Sequence, residues 1–441
     1  MNSKIKSRSR AFRKIEREFH LSNDDIAKII SSFHDEMKAG LAGEKSDLKM
    51  LPAFTDAPSG KENGTFLALD IGGTNLRVIE ASLSGDGSLK VLRSSKTRIP
   101  HTLMKGSGIE LFDFIASHIA KFLHTKKSGK FKLGFTFSFP VEQKSLTSGL
   151  LITWTKGFTA SGVVGKDVTK LLQMALRRAG LGFIEIAALA NDTVGTLAAC
   201  AYSCRTCDIG AIFGTGTNAC YLEKLSKIKK VGGAKGRGRM IINIEWGNFS
   251  KLPRNEFDIL IDDRSNNPGR QVMEKMISGM YLGELARMAI RKLYDIGEIE
   301  LGKSSLRRTG GLHTSQLSAL ETAKGKKYSE IIEKTGLSGI SEEDLTVVAA
   351  ISRAVVIRAA KISAACLAAV IMKMDPRIAR KHTIAVDGAL YENHPGFSRT
   401  LRNSMKTLLG KNSGNVRIRK TADGSGIGVA VIAAASHRWT H

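Results

Sequence analysis

Two short glycine-rich segments contain residue types that can bind phosphate groups. The first, residues 70–77, reads DIGGTNLR and has a carboxylate at one end and a guanidinium at the other. Paired glycines permit a tight turn with positive φ, and no Cβ atom shields their backbone N–H groups. Such a turn can approach phosphate oxygens closely, although an ordinary hairpin has the same composition. The candidate residues of this segment are Asp70, Gly72, Gly73, Thr74, Asn75 and Arg77.

The second segment, FGTGTN at residues 213–218, is equally rich in small residues and hydroxyl groups. A triphosphate needs donors on two sides, so two such turns favour a nucleotide site more strongly than one turn does. A third candidate begins at residue 387, where an apolar strand ends and a helix can start, and strand ends and helix starts both favour anionic ligands. These places and the start of the last predicted helix contribute Gly214, Thr215, Gly216, Asp387, Gly388, Ala389 and Ser425.

Asp192 is the strongest candidate for proton transfer. It follows the apolar segment 184–190, which predicts a buried strand, and a carboxylate is rare at such a place without a specific role. Capping of the helix predicted at 193–204 is the alternative interpretation, and one Asp can serve both purposes. The segment 297–304 matches the P-loop pattern literally, but it follows a predicted helix instead of a strand, so we interpret it as a chance match.

The stretch 133–158, LGFTFSFPVEQKSLTSGLLITWTKGF, resembles the signature of the eukaryotic-type hexokinase family. Further segments resemble landmarks of that family, in its order along the chain, from about residue 20 onward, and each occurs once. They are FLALDIGGTNLRV, ALANDTVGTLAA, IFGTGTNACY, INIEWGNF, EKMISGMYLGELAR, VDGALYENHPGF and ADGSGIGVAVIAA.

The resemblance implies an α/β fold with two ribonuclease-H-like domains, the actin-like ATPase fold, flanking a central cleft. Residues 66–190 plus 425–441 would form the small domain, and residues 21–65 plus 191–424 the large domain, after a basic N-terminal lead-in at 1–20. Helical periodicity predicts long helices at 270–294 and 343–373. Segments 226–239 and 302–328, rich in Lys, Gly and Ser, are predicted to be surface loops.

The resemblance also implies a reaction. The C6 hydroxyl of glucose or another hexose attacks the γ-phosphoryl group of ATP, giving hexose 6-phosphate, with Asp192 as the base and with Lys156 and Arg77 assisting. Mg²⁺ would arrive with ATP, with Asp70 acting through water and no direct protein ligand. The residues implied to bind the sugar are Ser138, Thr155, Lys156, Asn191, Asp192, Asn218, Glu245 and Glu274. Ala389 stands where relatives usually carry Thr or Ser, which leaves the nucleotide preference open.

The net charge of +26 is spread along the chain and has few aromatic residues interleaved with it, so it predicts a solvated basic surface and no specific nucleic-acid partner. The apolar stretches are too short for a membrane span, and we expect a cytoplasmic protein. Homo-oligomer formation is left open. Two other functions compete with a kinase: a sugar sensor without turnover, and a polyanion-binding protein on the same scaffold. The motifs do not separate a narrow glucokinase from a broad hexokinase.

Overall fold

A computed structural model of the chain describes residues 9–73, 75–123, 130–231, 238–321, 328–421 and 423–436. The helices are α1 (Arg10–Glu18), α2 (Asn23–Ala42), α3 (His101–Lys105), α4 (Gly108–Leu123), α5 (Val168–Arg178), α6 (Asp192–Ser203), α7 (Glu256–Asp263), α8 (Val272–Ile277), α9 (Leu282–Asp295), α10 (Thr314–Glu321), α11 (Tyr328–Thr335), α12 (Glu342–Met374), α13 (Ala389–Asn393), α14 (Pro395–Leu409) and α15 (Gly424–Ala435). The strands are β1 (Leu51–Pro52), β2 (Asn63–Gly72), β3 (Asn75–Ser84), β4 (Leu89–Arg98), β5 (Phe131–Phe137), β6 (Val141–Ser145), β7 (Ser148–Leu151), β8 (Ile184–Ala190), β9 (Cys207–Phe213), β10 (Thr217–Lys224), β11 (Arg239–Asn243), β12 (His382–Asp387) and β13 (Val416–Lys420).

The two main sheets repeat one topology. The first has the order β4-β3-β2-β5-β8, in which the first three strands are antiparallel and β5 and β8 continue parallel to β2. The second has the order β11-β10-β9-β12-β13 with the same directions, and β1 is added beside β11. Each sheet therefore begins with a hairpin that carries one of the two glycine-rich turns. The predicted α/β fold with two related halves is confirmed.

Helices α6 and α15 pack against each other between the two sheets. Their core contains small side chains from both sheets, such as Ala68 of β2 and Ala385 of β12. Gly195 of α6 and Gly428 of α15 face each other so closely that a Cβ at Gly428 would overlap the carbonyl group of Gly195. The absence of a side chain thus lets two helix backbones meet directly, at the contact that joins the two halves.

We predict that Gly428→Ala destabilises the protein by about 1–3 kcal/mol, because the added methyl group forces the α6 and α15 backbones apart. The free energy of unfolding by urea measures the effect. Gly414→Ala is the matched control, since a Cβ at Gly414 has no atom within 4 Å. Equal stability of the two variants would contradict the close helix contact.

The predicted lead-in at 1–20 includes a helix that the sequence did not indicate. Ser9 accepts a hydrogen bond from the Phe12 N–H and caps α1, whose buried side chains Phe12 and Ile15 belong to the core of the second sheet. The central helix of that core is α12. It is long and apolar enough to cross a membrane by length and composition, and 83% of its most apolar window is buried within the fold.

Two predicted segments differ from the structure. The helix expected at 270–294 is interrupted, because α8 ends at Ile277 and α9 begins at Leu282. At the break, the N–H groups of Gly279 and Met280 donate to the carbonyl oxygens of Gly214 and Thr215. The loop expected at 302–328 contains helix α10. The literal P-loop match at 297–304 follows helix α9 instead of a strand and leads into a short 3-10 helix at Ser305–Arg307, in agreement with a chance match.

Candidate active site

A cavity of about 430 Å³ lies between the two halves, where the two glycine-rich turns meet. The predicted residues that line it are Asp70, Gly72, Gly73, Asn75, Ser138, Thr155, Lys156, Asn191, Asp192, Thr215, Gly216, Asn218, Glu245, Glu274, Asp387, Gly388 and Ser425. Strand ends, hairpin turns and helix starts from both sheets supply them. The cavity therefore joins the residues predicted for the sugar with most of those predicted for the nucleotide.

Asp192 begins helix α6 and faces Lys156 across the cavity. Asn191 caps the helix by accepting the Thr193 N–H at 3.1 Å, and a carboxylate at a helix N-terminus is stabilised by the helix dipole. The Asp192 Oδ2 lies 3.9 Å from the Lys156 Nζ, and both side chains keep partial exposure to the cavity. The cap of α6 is therefore Asn191 and not Asp192, so the capping interpretation of Asp192 is wrong, and the Asp192 carboxylate stays partly exposed to the cavity.

Lys156 is held in an unusual backbone conformation. Its φ of 55° is in the left-handed region, which non-glycine residues adopt rarely and which clusters at functional sites. An aromatic cluster fixes the loop: the ring of Trp154 lies 4.8 Å from that of Phe139 and 5.3 Å from that of Phe158. The Lys156 Nζ donates to the Ser138 carbonyl oxygen at 2.7 Å, so the ammonium group is directed at the cavity by two neighbouring segments.

An amide network positions Glu245. The Asn218 side-chain amide lies 2.8 Å from the Asn243 Oδ1 and 3.2 Å from both the Asn191 Oδ1 and the Glu245 Oε1. Asn243 in turn donates to the Glu245 Oε1 at 2.9 Å. Glu245 also has a left-handed φ of 56°. A hydroxyl group of a ligand could donate to the Glu245 carboxylate, which the amides of Asn218 and Asn243 already hold in place.

Glu274 completes this side of the cavity from helix α8. Its Oε2 accepts the Thr217 N–H at 3.2 Å, and a Cβ at Gly216 would come within 2.8 Å of the same oxygen. Burial raises the pKa of both Glu274 and Glu245 above the ordinary range. Two carboxylates with few fixed donors are therefore available to accept hydrogen bonds from a polar ligand.

The other side of the cavity has two carboxyl groups, those of Asp70 and Asp387, whose charged forms are destabilised by burial. Burial raises the pKa of Asp70 to about 6, with a smaller contribution from the nearby charge of Asp192, and burial raises the pKa of Asp387 to about 6. Asp70 accepts from the Ser425 Oγ at 3.1 Å, and Asp387 accepts from the Gly424 N–H at 3.0 Å. Carboxylates whose pKa is shifted by burial and by neighbouring charges are concentrated at functional sites.

We predict that Asp70→Asn stabilises the ligand-free protein by about 1–2 kcal/mol near pH 7.5 while it lowers turnover, because it removes a charge whose folded pKa exceeds its unfolded value. The raised pKa makes the wild type gain stability as pH falls from about 6 towards about 4, and the variant lacks this gain. The difference in unfolding free energy should therefore shrink below about pH 5. Thermal melts at pH 7.5 and pH 4.5 measure it, and an equal difference at both would contradict the assignment.

Three predicted residues, Arg77, Gly214 and Ala389, lie outside this lining. Arg77 is not in the lining and pairs with Asp423. Gly214 and Ala389 line a neighbouring cavity of about 160 Å³, which shares Thr215 with the first and is also bounded by Thr314. Thr74 lies outside the described residues.

Several lining residues were not predicted from the sequence, notably Thr217, Gln271 and Met280. Gln271 precedes α8 with a left-handed φ of 54°, and its N–H donates to the Asn248 Oδ1. The sequence contains one signal for Gln271, which is its spacing of three residues from Glu274. Residues three apart in a helix lie on the same face, so both side chains can reach the same cavity. Met280 lies in the helix break, which periodicity did not reveal.

Comparisons with known proteins agree with this geometry. Two sequence models, both described as hexokinase, match residues 11–202 and 208–435. The chain is 41% identical over 437 residues to Hexokinase-2 of Homo sapiens, which covers 95% of this chain and 47% of that protein. It therefore spans about half the length of this relative. Hexokinase-7 of Oryza sativa subsp. japonica is 41% identical over 433 residues, covering 93% of both chains.

A solved structure is also similar. The hexokinase from Schistosoma mansoni complexed with glucose superposes with a TM-score of 0.87 at 38% identity, covering 97% of this chain and 100% of that one. This likeness extends over nearly the whole chain. The chain belongs to the hexokinase family.

Proposed function

We propose that this chain is an ATP-dependent hexokinase, which transfers the γ-phosphoryl group of ATP to the C6 hydroxyl of glucose or a related hexose. One observation carries the proposal: a single cavity contains Asp192, the polar groups suited to a sugar, and both glycine-rich turns. Such a cavity can bring a hydroxyl group and a triphosphate into contact, which is the main requirement of phosphoryl transfer.

On the sugar side, Asp192 would accept the proton of the attacking hydroxyl. Lys156, 3.9 Å away, would offset the negative charge that gathers on the transferring group. Glu245 and Glu274 would accept hydrogen bonds from other hydroxyls, and Asn218 and Asn191 would fix the sugar's orientation. An analogue that lacks one of these hydroxyls would leave a buried carboxylate unpaired, at a cost of about 1–3 kcal/mol.

On the nucleotide side, the backbone N–H groups of both glycine-rich turns would contact phosphate oxygens, and the cavity at Gly214 and Ala389 would receive the remainder of ATP. The raised pKa values of Asp70 and Asp387 fit a bound cation, which would relieve the desolvated charge. The described residues hold no cluster of three His, Cys, Asp or Glu side chains for a metal. Mg²⁺ bound to ATP would supply charge neutralisation at the phosphates, with Asp70 acting through water.

The domain boundaries are part of this proposal. We assign residues 66–190 and 425–441 to the small domain and residues 21–65 and 191–424 to the large one. Each assigned domain has one of the two sheets as its centre, which supports the division. A cytoplasmic location and the formation of homo-oligomers stay predictions.

A coupled assay that follows ADP release over a panel of hexoses tests the activity. We expect ADP release that depends on glucose, and little release with water as the acceptor. Glucose binding without any ADP release would instead favour the sugar sensor. The rates for glucose, mannose and fructose would separate a narrow from a broad enzyme.

A further inference from the structure

Strand β13 forms the outer edge of the second sheet, on the side away from β1. It pairs in parallel with β12 on one side, from His382 opposite Val416 to Val386 opposite Lys420. Among the described strands, none pairs with its other side. An unpaired edge exposes backbone donors and acceptors that can bind another strand.

The hydrogen-bond pattern shows which backbone groups face outward. The Thr421 N–H donates to the Val386 carbonyl oxygen at 2.9 Å, and the Thr383 N–H donates to the Thr206 carbonyl oxygen at 2.8 Å. Successive residues of a strand direct their N–H and C=O groups to opposite sides, so Arg417 and Arg419 bond with β12. Ile418 and Lys420 consequently direct theirs away from the sheet.

A groove of about 400 Å³ runs beside this edge, between β13 and helix α14. Met405 and Leu409 of α14 are buried at its floor, whereas Arg402 and Lys406, one helical turn apart, are exposed at its rim. The Arg402 Nε donates to the Tyr391 hydroxyl at 3.0 Å, which holds this guanidinium in place. The groove is thus apolar below and basic at the rim.

The charge of the groove is uncompensated within the described part of the chain. Arg402, Lys406 and Arg417, which line the groove, form no ion pair with a described residue, and neither does Arg419 of β13, whereas the Lys420 Nζ lies 3.4 Å from the Glu392 carboxylate. Arg417 and Arg419 alternate with the half-buried Ile418, so the cations share one face of β13. A strand added here would meet Arg417 and Arg419 on that face and, on the face of Ile418, the apolar floor of the groove with Arg402 and Lys406 at its rim.

We propose that the β13 edge and helix α14 form a docking groove for an extended acidic segment of a partner protein, which adds to the second sheet as a further strand. Backbone hydrogen bonds to Ile418 and Lys420 would supply affinity, and alternating acidic and apolar side chains would supply specificity. A second copy of this chain does not fit, because two β13 edges would oppose their arginines. This groove lies apart from the cavity proposed for phosphoryl transfer, so the inference is independent of that activity.

The probe is a fluorescein-labelled peptide of about eight alternating Glu and Val residues, which exceeds the length of β13. Its binding to the full chain is followed by fluorescence anisotropy. The control peptide has the same sequence with alternate backbone nitrogens methylated, which removes the hydrogen bonds and keeps the charge. We expect saturable binding of the probe and affinity about tenfold weaker for the methylated peptide.

Two pairs of variants locate the site. Lys420→Pro removes an outward N–H group without touching the pairing with β12, and Lys420→Ala removes only the charge. We expect the Pro variant to bind at least about tenfold more weakly than the Ala variant. Lys406→Glu should abolish binding, whereas Lys170→Glu, an exposed site on α5, should reduce it little. Circular dichroism and melting curves verify that each variant is folded.

Three results would overturn the proposal. The first is the absence of probe binding, which would mean that the cations only guard the edge against pairing. The second is equal affinity for the methylated peptide, and the third is equal loss in the Pro and Ala variants. Either of the last two would mean that the surface attracts polyanions without strand addition. Displacement of the probe by heparin would then confirm that interpretation.

Discussion

The variant Asp192→Asn should lose about 10²- to 10⁴-fold in turnover while it keeps the fold and the affinity for glucose. The amide has the shape of the carboxylate and can still accept the Thr193 N–H, which the Asp192 Oδ1 accepts at 2.9 Å. It cannot accept a proton from a sugar hydroxyl. The loss therefore separates proton transfer from hydrogen bonding in the first turn of α6. A coupled ATP assay measures turnover, and glucose titration by intrinsic fluorescence measures the affinity.

Asp167→Asn is the control for the loss of a carboxylate at a helix start outside the cavity. Asp167 caps α5 by accepting the N–H groups of Thr169 and Lys170, and it does not line the cavity. We expect its turnover to stay within about twofold of the wild type, since the loss of a helix cap affects stability by about 1 kcal/mol and leaves the cavity lining unchanged. Near-normal turnover of Asp192→Asn would refute the role of this carboxylate as the base.

The variant Arg358→Met should reduce the free energy of unfolding by about 3–5 kcal/mol, which is the largest stability effect that we expect in this chain. Arg358 on α12 and Asp258 on α7 are fully buried, and two hydrogen bonds of 2.6 Å join the guanidinium to the carboxylate. The guanidinium also lies over the ring of Phe19, 4.8 Å from its centroid. Its removal leaves a charged Asp258 unpaired in the core.

The double variant Arg358→Met with Asp258→Asn separates charge from packing. The Asn keeps an acceptor for the Asn255 N–H, which Asp258 binds at 2.8 Å, but it carries no charge. We expect the double variant to recover at least half of the lost stability, as determined from urea unfolding. If the single variant lost less than about 1 kcal/mol, the buried pair would not hold α12 against α7.

Much of the fold could be predicted from the sequence, because each half has the same pattern of an apolar strand, a glycine-rich turn and a second strand. The turns at Gly73 and Gly216 indicated both hairpins, and the apolar run 184–190 indicated the strand that delivers Asp192. The landmark segments supplied the residues implied to bind the sugar, and these residues line the cavity. These signals are local, so the sequence contains them in full.

Features that depend on distant contacts were not predictable. At the break between α8 and α9, the N–H groups of Gly279 and Met280 donate to carbonyl oxygens in the turn between β9 and β10. Helical periodicity does not reveal such a contact. Likewise, α1 has too few apolar residues to stand out, although Phe12 and Ile15 complete a core built from distant segments. The pairing of Arg77 with Asp423 also needs the folded chain.

The most direct test of the central claim compares glucose with 6-deoxyglucose in the presence of ATP and Mg²⁺, with the products identified by ³¹P NMR. The proposed mechanism predicts glucose 6-phosphate from the first sugar. It predicts no sugar phosphate from the second, although that sugar should still bind in the cavity. Phosphorylation of 6-deoxyglucose, or the absence of glucose 6-phosphate from a folded protein that binds glucose, would contradict it.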